Sequence, residues 1–291
     1  MAQTMKEIKR RIGSVGNIMQ ITNAMELVSS AKLRKIRQRL ETTRPYFETV
    51  YANINEILAE SDKRSSIYLD ERPVKNRAVI VCASDRGLAG GYNINVCKKA
   101  LEYKDDSDID TTFYVTGVKA YEILKRHGCK VNLDYTVVGE DPEIADAVEI
   151  GSMLLEKYAK GEIDEVNIVY TKFESVLKLV PQAVQLLPTK DFKRSSSDDL
   201  VKDNRKTPII YEPSAEAVLA QMIEQYVNVS IYGAILEAST SEQASRRTAM
   251  ENATDNGKEL LEDLELIYNR ARQANITQEI SEIVGGAEAL K

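Results

Sequence analysis

The sequence predicts an α/β fold in which a long antiparallel coiled coil of the N- and C-terminal helices joins a central domain with a mostly parallel sheet. Three observations carry this. Apolar residues recur at helical, near-heptad spacing at both ends of the chain. From Ser214 to Lys291 there is no proline. Between the ends, the period changes to short buried-type strands alternating with helices. The predicted divisions are a long helix over residues 1–60, an α/β domain over 74–188, a flexible linker over 189–207 and a second long helix over 208–291.

In the first segment Ile8, Ile12, Val15 and Met19 step by 4, 3, 4, and Ile18, Ile21, Met25 and Val28 by 3, 4, 3. After a five-residue skip come Leu33, Ile36 and Leu40, then Phe47, Val50, Ile54 and Ile57. Pro45 should kink or restart the helix near Arg44. At 1.5 Å per residue, residues 3–59 would span roughly 85 Å.

The middle opens with Arg77 to Ser84 as a buried strand, then the glycine-rich Ser84-Asp-Arg-Gly-Leu-Ala-Gly-Gly-Tyr-Asn93 and a helix from Tyr92 to Leu101. Thr112–Thr116 is a strand, Val118–His127 a helix, Val131–Val138 a strand and Glu143–Lys160 a helix. Val166–Thr171 and Pro181–Leu187 are further strands. This alternation describes a Rossmann-like domain with helices on both faces. The polar tract Thr189–Lys206 reads as a linker.

In the last segment Val218, Met222, Tyr226, Val229, Tyr232 and Leu236 form one stripe. Leu260, Leu264, Ile267, Ala271 and Ala274 form another, and Ile276, Ile280 and Ile283 finish it. Residues 238–257 carry almost no large apolar side chain, only Ala244, Ala249 and Ala253, so this stretch is expected to lean on a partner or stand in water.

Composition excludes several function classes. The 291 residues carry 39 Lys+Arg against 45 Asp+Glu, a net charge of −6, which argues against a general nucleic-acid binder. Residues 1–40 hold nine Lys/Arg and only Glu7 and Glu26. This basic helix on an acidic chain is either a site of specific electrostatic contact or a solvated face. No apolar run approaches the roughly 18 residues needed to cross a bilayer. The opening MAQTMKEIKRRIG lacks a following apolar stretch, so no secretory signal is expected. Cys82, Cys97 and Cys129 are scattered without CxxC spacing and read as reduced buried thiols, not as a zinc or disulfide framework.

No catalytic constellation emerges. The Ser84–Asn93 loop lacks the Gly-Lys-Ser/Thr ending of a P-loop and does not match GxGxxG, so tight-turn glycines explain it without a nucleotide. His127 is the only histidine, which excludes a catalytic triad and fits a helix C-terminal cap. Asp105, Asp106, Asp108 and Asp110 lack the glycine and distal Glu of an EF-hand and read as a solvated acidic loop.

Three motifs in order, ITNAMELVSSAKLRK, SDRGLAGGYN and SEQASRRTAMENATDNG…YNRARQANITQEI, make the whole chain resemble the gamma-subunit family of the bacterial F-type ATP synthase. The resemblance implies a non-catalytic central-stalk rotor without cofactor or metal. It implies one copy per complex, with partners in the alpha3–beta3 ring, the epsilon subunit and the c-subunit ring, on the cytoplasmic face of the cell membrane. By position it implies beta-subunit contacts at Met25, Lys32, Arg34, Lys35, Gln243, Arg246, Gln273 and Thr277. It further implies an apolar bearing of Ile276, Ile280, Ile283 and Val284, and c-ring contacts at Tyr211 and Glu212. Asn23 stands where the family usually has Lys, and Ile209 where an aromatic is common, which weakens the beta-facing charge and the foot contact respectively. The long cysteine-bearing insert of the chloroplast form is missing, so thiol switching is not expected. Two other readings remain: an unrelated coiled-coil scaffold, marked by self-dimerisation through the terminal helices, and a phosphate-binding α/β enzyme, marked by nucleotide binding lost on mutating Gly87 or Gly90.

Overall fold

The computed structural model describes residues 5–60, 67–104, 108–132, 141–189 and 211–289. Along the chain run α1 (Met5–Glu60), β1 (Asn76–Cys82), α2 (Tyr92–Leu101), β2 (Asp110–Thr116), α3 (Val118–Arg126), β3 (Lys130–Asn132), α4 (Ile144–Ala159), β4 (Glu165–Ser175), β5 (Lys178–Leu187) and α5 (Ala215–Ala289). The expected extension of the third strand to Val138, and the linker after Thr189, lie outside the described residues. The chain divides into two compact units, one of residues 1–30 with 246–291 and one of residues 31–245.

The larger unit holds a five-stranded sheet in the order β3-β2-β1-β4-β5. β1 pairs in parallel with β2 and β4, and β2 with β3, while β5 folds back antiparallel on β4. Among the described strands the direct β4–β5 hairpin is the one departure from parallel pairing, and Pro181 is tolerated in β5 because that strand is a sheet edge. Residues alternate between two cores. Val79, Val81, Phe113 and Val115 face Val96, Cys97 and Ala100 of α2 and Ala120 and Leu124 of α3. Ala78, Ile80, Cys82 and Tyr114 share the other core with Ile150, Leu154 and Tyr158 of α4, Ile223, Val227 and Ile231 of α5, and Ile54 and Ile57 of α1.

Two turns at the carboxyl edge of the sheet are locked together. Lys119 N donates to Ser84 O, and a Cβ on Gly117 would stand 2.3 Å from Ala83 O, so only glycine fits there. Asp85 Oδ1 accepts from Val118 N at 3.1 Å and caps α3. α4 opens with a reciprocal capping box between Glu143 and Asp146.

The terminal helices pack antiparallel within each unit. In the larger one, Phe47 and Tyr51 of α1 both meet the Tyr226 ring, at 5.7 and 6.4 Å between centroids. In the smaller one, Thr22 and Thr254 hydroxyls hydrogen-bond at 2.7 Å, and Met19 fills the space above Gly257. Asn275 Nδ2 donates to Met5 Sδ at 3.2 Å, so the position on one helix falls as the other rises.

Three expectations are corrected. α1 does not restart at Pro45: it stays helical through it, with Thr43 and Thr49 hydroxyls donating back to helix carbonyls on either side. The inward positions of α1 are not Ile18, Ile21 and Val28, which are 54, 61 and 54% exposed. They pass through Met19, Thr22, Ser29 and Leu33, so the five-residue skip disappears. Finally, the alanine-rich stretch of α5 leans on the chain's own sheet: Ala238, Thr240, Ser241 and Ala244 are buried, and Ser241 Oγ donates to Thr171 O at 2.9 Å. Thr171 stands opposite Pro181, which has no N–H to offer.

Candidate functional site

In an open parallel sheet, ligands bind beyond the carboxyl ends of the strands, where the strand order reverses. Here that place lies past β1, under the Ser84–Asn93 loop, and several of its polar groups are already engaged within the chain. Ser84 N gives its hydrogen bond to Asn93 Oδ1 at 3.0 Å, Ser245 Oγ donates to Ala89 O at 2.7 Å, and Val118 N is held by Asp85. Leu88 and Gly90 adopt left-handed backbone, at φ 62° and 53°, to close the turn. The remaining cavity, bounded by Arg86 and Thr116 on one side and Ile235, Ala238 and Glu242 of α5 on the other, holds about 30 Å³. That is room for about one water, far below a pocket for a nucleotide. α5 fills the crevice.

Other reactive groups are equally engaged. His127 caps α3, its Nδ1–H donating to Ile123 O at 2.8 Å, as its position in the sequence suggests. Burial pushes the Cys82 and Cys97 thiols up to about 12, so both stay protonated and inert at neutral pH. Cys129 is only partly buried, unlike the sequence expectation, and its thiol is also raised, chiefly by desolvation. Asp110 pairs with Lys130 at 2.7 Å. Among the described residues no cluster of His, Cys, Asp or Glu could hold a metal, and no helix is long and apolar enough to cross a membrane.

The surfaces of the terminal helices are therefore the candidate site. On α1, Met25 and Lys32 are half-buried, while Arg34 and Lys35 are exposed. Lys35 is not isolated: it pairs with Asp141. On α5, Gln243 and Arg246 are buried, at 3 and 8% exposure, so neither presents a broad surface. Gln273 and Thr277 are exposed, the Thr277 hydroxyl donating to Gln273 O at 2.9 Å. Ile276, Ile280, Ile283 and Val284 are all exposed, at 48, 55, 72 and 57%. Tyr211 packs against the larger unit's core, and the adjacent Glu212 is exposed. The sequence reading missed the apolar exposure of Ile18, Ile21 and Val28, because near-heptad spacing alone assigns them to a buried stripe.

The chain matches the ATP synthase family over residues 4–290. It is 44% identical over 287 residues to the ATP synthase gamma chain of Alkaliphilus metalliredigens, covering 99% of each chain. It is 42% identical to the ATP synthase gamma chain, sodium ion specific, of Acetobacterium woodii over the full length of both. In fold it is similar to a rotor chain of the Euglena gracilis mitochondrial ATP synthase (TM-score 0.60, 17% identity, 94 and 98% coverage). It is also similar to a central-stalk and c-ring chain from Tetrahymena thermophila (TM-score 0.55, 24% identity, 80 and 99% coverage). At this identity over this length, shared ancestry accounts for the order of all three motifs, and the chain belongs to the ATP synthase gamma-chain family.

Proposed function

We propose that the chain is the central-stalk rotor subunit of an F-type ATP synthase. It transmits rotation between the membrane c ring and the alpha3–beta3 catalytic ring, coupling ion flow to ATP synthesis or hydrolysis without being catalytic itself. One copy serves each complex, next to the epsilon subunit, peripheral on the cytoplasmic face of the cell membrane. The observation that carries this reading is the far end of α5. Ile276, Ile280, Ile283 and Val284 follow one another along the last turns of α5 and are all exposed, and such a patch marks a surface that something else covers. A collar of catalytic subunits gripping that end fits the gamma-chain relationship and the closed crevice of the α/β domain.

Mechanistically, a shaft biases three equivalent catalytic subunits only through contacts that differ from one to the next. Swinging a subunit from 1:99 to 99:1 takes about 5.5 kcal/mol. A few charge-assisted hydrogen bonds of roughly 1.5–3 kcal/mol each reach that, provided they break as the shaft turns. Exposed groups such as Arg34, Gln273 and Thr277 suit breakable contacts, whereas Gln243 and Arg246, buried against their own chain, suit holding the shaft's shape. The test is co-purification: the tagged chain should bring down a ring of alpha and beta subunits. Recovery of the chain alone, or as a self-dimer, would sink the reading.

A further inference from the structure

Two cations one helical turn apart on α1 converge on a single carboxylate. Lys35 Nζ donates to Asp141 Oδ2 at 2.7 Å, and Arg39 Nη1 donates to Asp141 Oδ1 at 2.6 Å. Arg39 Nη1 also reaches Pro142 O at 3.4 Å. The Lys35 hydrogen bond, with Arg39 beside it, holds the Asp141 carboxyl below the usual carboxylate range. All three side chains are open to solvent, with Lys35 59%, Asp141 50% and Arg39 36% exposed. Such pairs are weak and exchangeable.

Asp141 is not needed to seat the helix that follows it. α4 is fixed by the burial of Ala147, Ile150, Leu154, Leu155 and Tyr158 and starts in its own capping box. What Asp141 does is neutralise a basic face. Residues 32–39 carry five cations and no acid, and of these Arg37 pairs with Glu41 on the same helix. A carboxylate-rich segment of another molecule docking on Lys35 and Arg39 is repelled by Asp141 and must take over its two cations.

We propose that Asp141 is an internal counter-ion that competes with an acidic peptide segment of a partner for the Lys35–Arg39 pair. The identity of the partner rests on the rotor reading; the competition itself does not. The experiment titrates the intact chain with an oligoglutamate peptide at low and at physiological salt. Asp141→Asn should bind it about three- to fivefold more tightly at low salt, and the gain should shrink as salt rises. Adding Lys35→Gln and Arg39→Gln should abolish the gain, with circular dichroism confirming that every variant is folded. Unchanged or weaker binding by Asp141→Asn, persistence of the gain in the triple variant, or no peptide binding by any form would each overturn the proposal. Failure to recover a catalytic ring by co-purification would instead strike the rotor reading and leave the peptide result standing.

Discussion

Glu237 lies on α5 near Tyr170 and Lys172 of β4, with Oε2 buried and without a hydrogen-bond partner among the described residues. Desolvation raises its carboxyl, outweighing the attraction of Lys172, and Tyr170 is pushed up to about 12 by burial and by the same carboxylate. A carboxyl raised by folding favours the protonated native state. Its cost is therefore absent below the unfolded value near 4.3 and grows as pH rises through the folded one. Glu237→Gln, neutral at every pH, should raise the melting temperature of the chain at pH 8, and the gain should vanish below about pH 4. Equal gains at both pH values would show that packing and not charge is responsible. At the same scale, Ala244 has no exposed surface, so Ala244→Leu should overpack its buried site and cost about 1–3 kcal/mol in denaturant unfolding.

At the scale of elements, the helix pairing shows how far apolar counting reaches. In the smaller unit the inward positions of α5 are Met250, Thr254, Gly257, Leu261, Leu264, Tyr268 and Ala271, an unbroken alternation of fours and threes. The sequence reading shared only Leu264 and Ala271 with it, because it skipped threonine and glycine and chose Leu260 and Ile267, which are 49 and 44% exposed. Small and polar residues sit inward because close approach, the Thr22–Thr254 hydrogen bond and the Met19 side chain over Gly257 set the register. A matched pair of substitutions tests this by thermal melting. Gly13, with nothing within 4 Å of its Cβ position, should gain about 0.5–1 kcal/mol on mutation to Ala. Gly257→Ala should gain less or lose, since its Cβ would lie 2.5 Å from Met19 Cγ. In the α/β domain, Gly117→Ala should cost a few kcal/mol, the obstruction being the backbone carbonyl of Ala83, which cannot swing away.

For the molecule as a whole, the prediction concerns coupling. Deleting residues from Gln273 onward removes the exposed Ile276, Ile280, Ile283 and Val284 but few buried contacts. The chain should keep its fold, and a reconstituted complex should retain ATP hydrolysis better than it retains ion pumping. Equal loss of both would mean that this end holds the ring together instead of coupling it.

The sequence by itself determined the elements and their order. Periods of two and of 3.6 are local, so the helix from Tyr92 to Leu101 was legible to the residue, and the strands to within a few positions. Motif order was enough to point to the family. Only the tertiary structure decided which face of each long helix turns inward, that β5 folds back on β4, that α5 closes the crevice past β1, and that Lys35 and Arg39 share Asp141. Each of these joins residues distant in sequence, and the deciding forces are steric fit and charge proximity. Those act through space and leave no periodic mark along the chain.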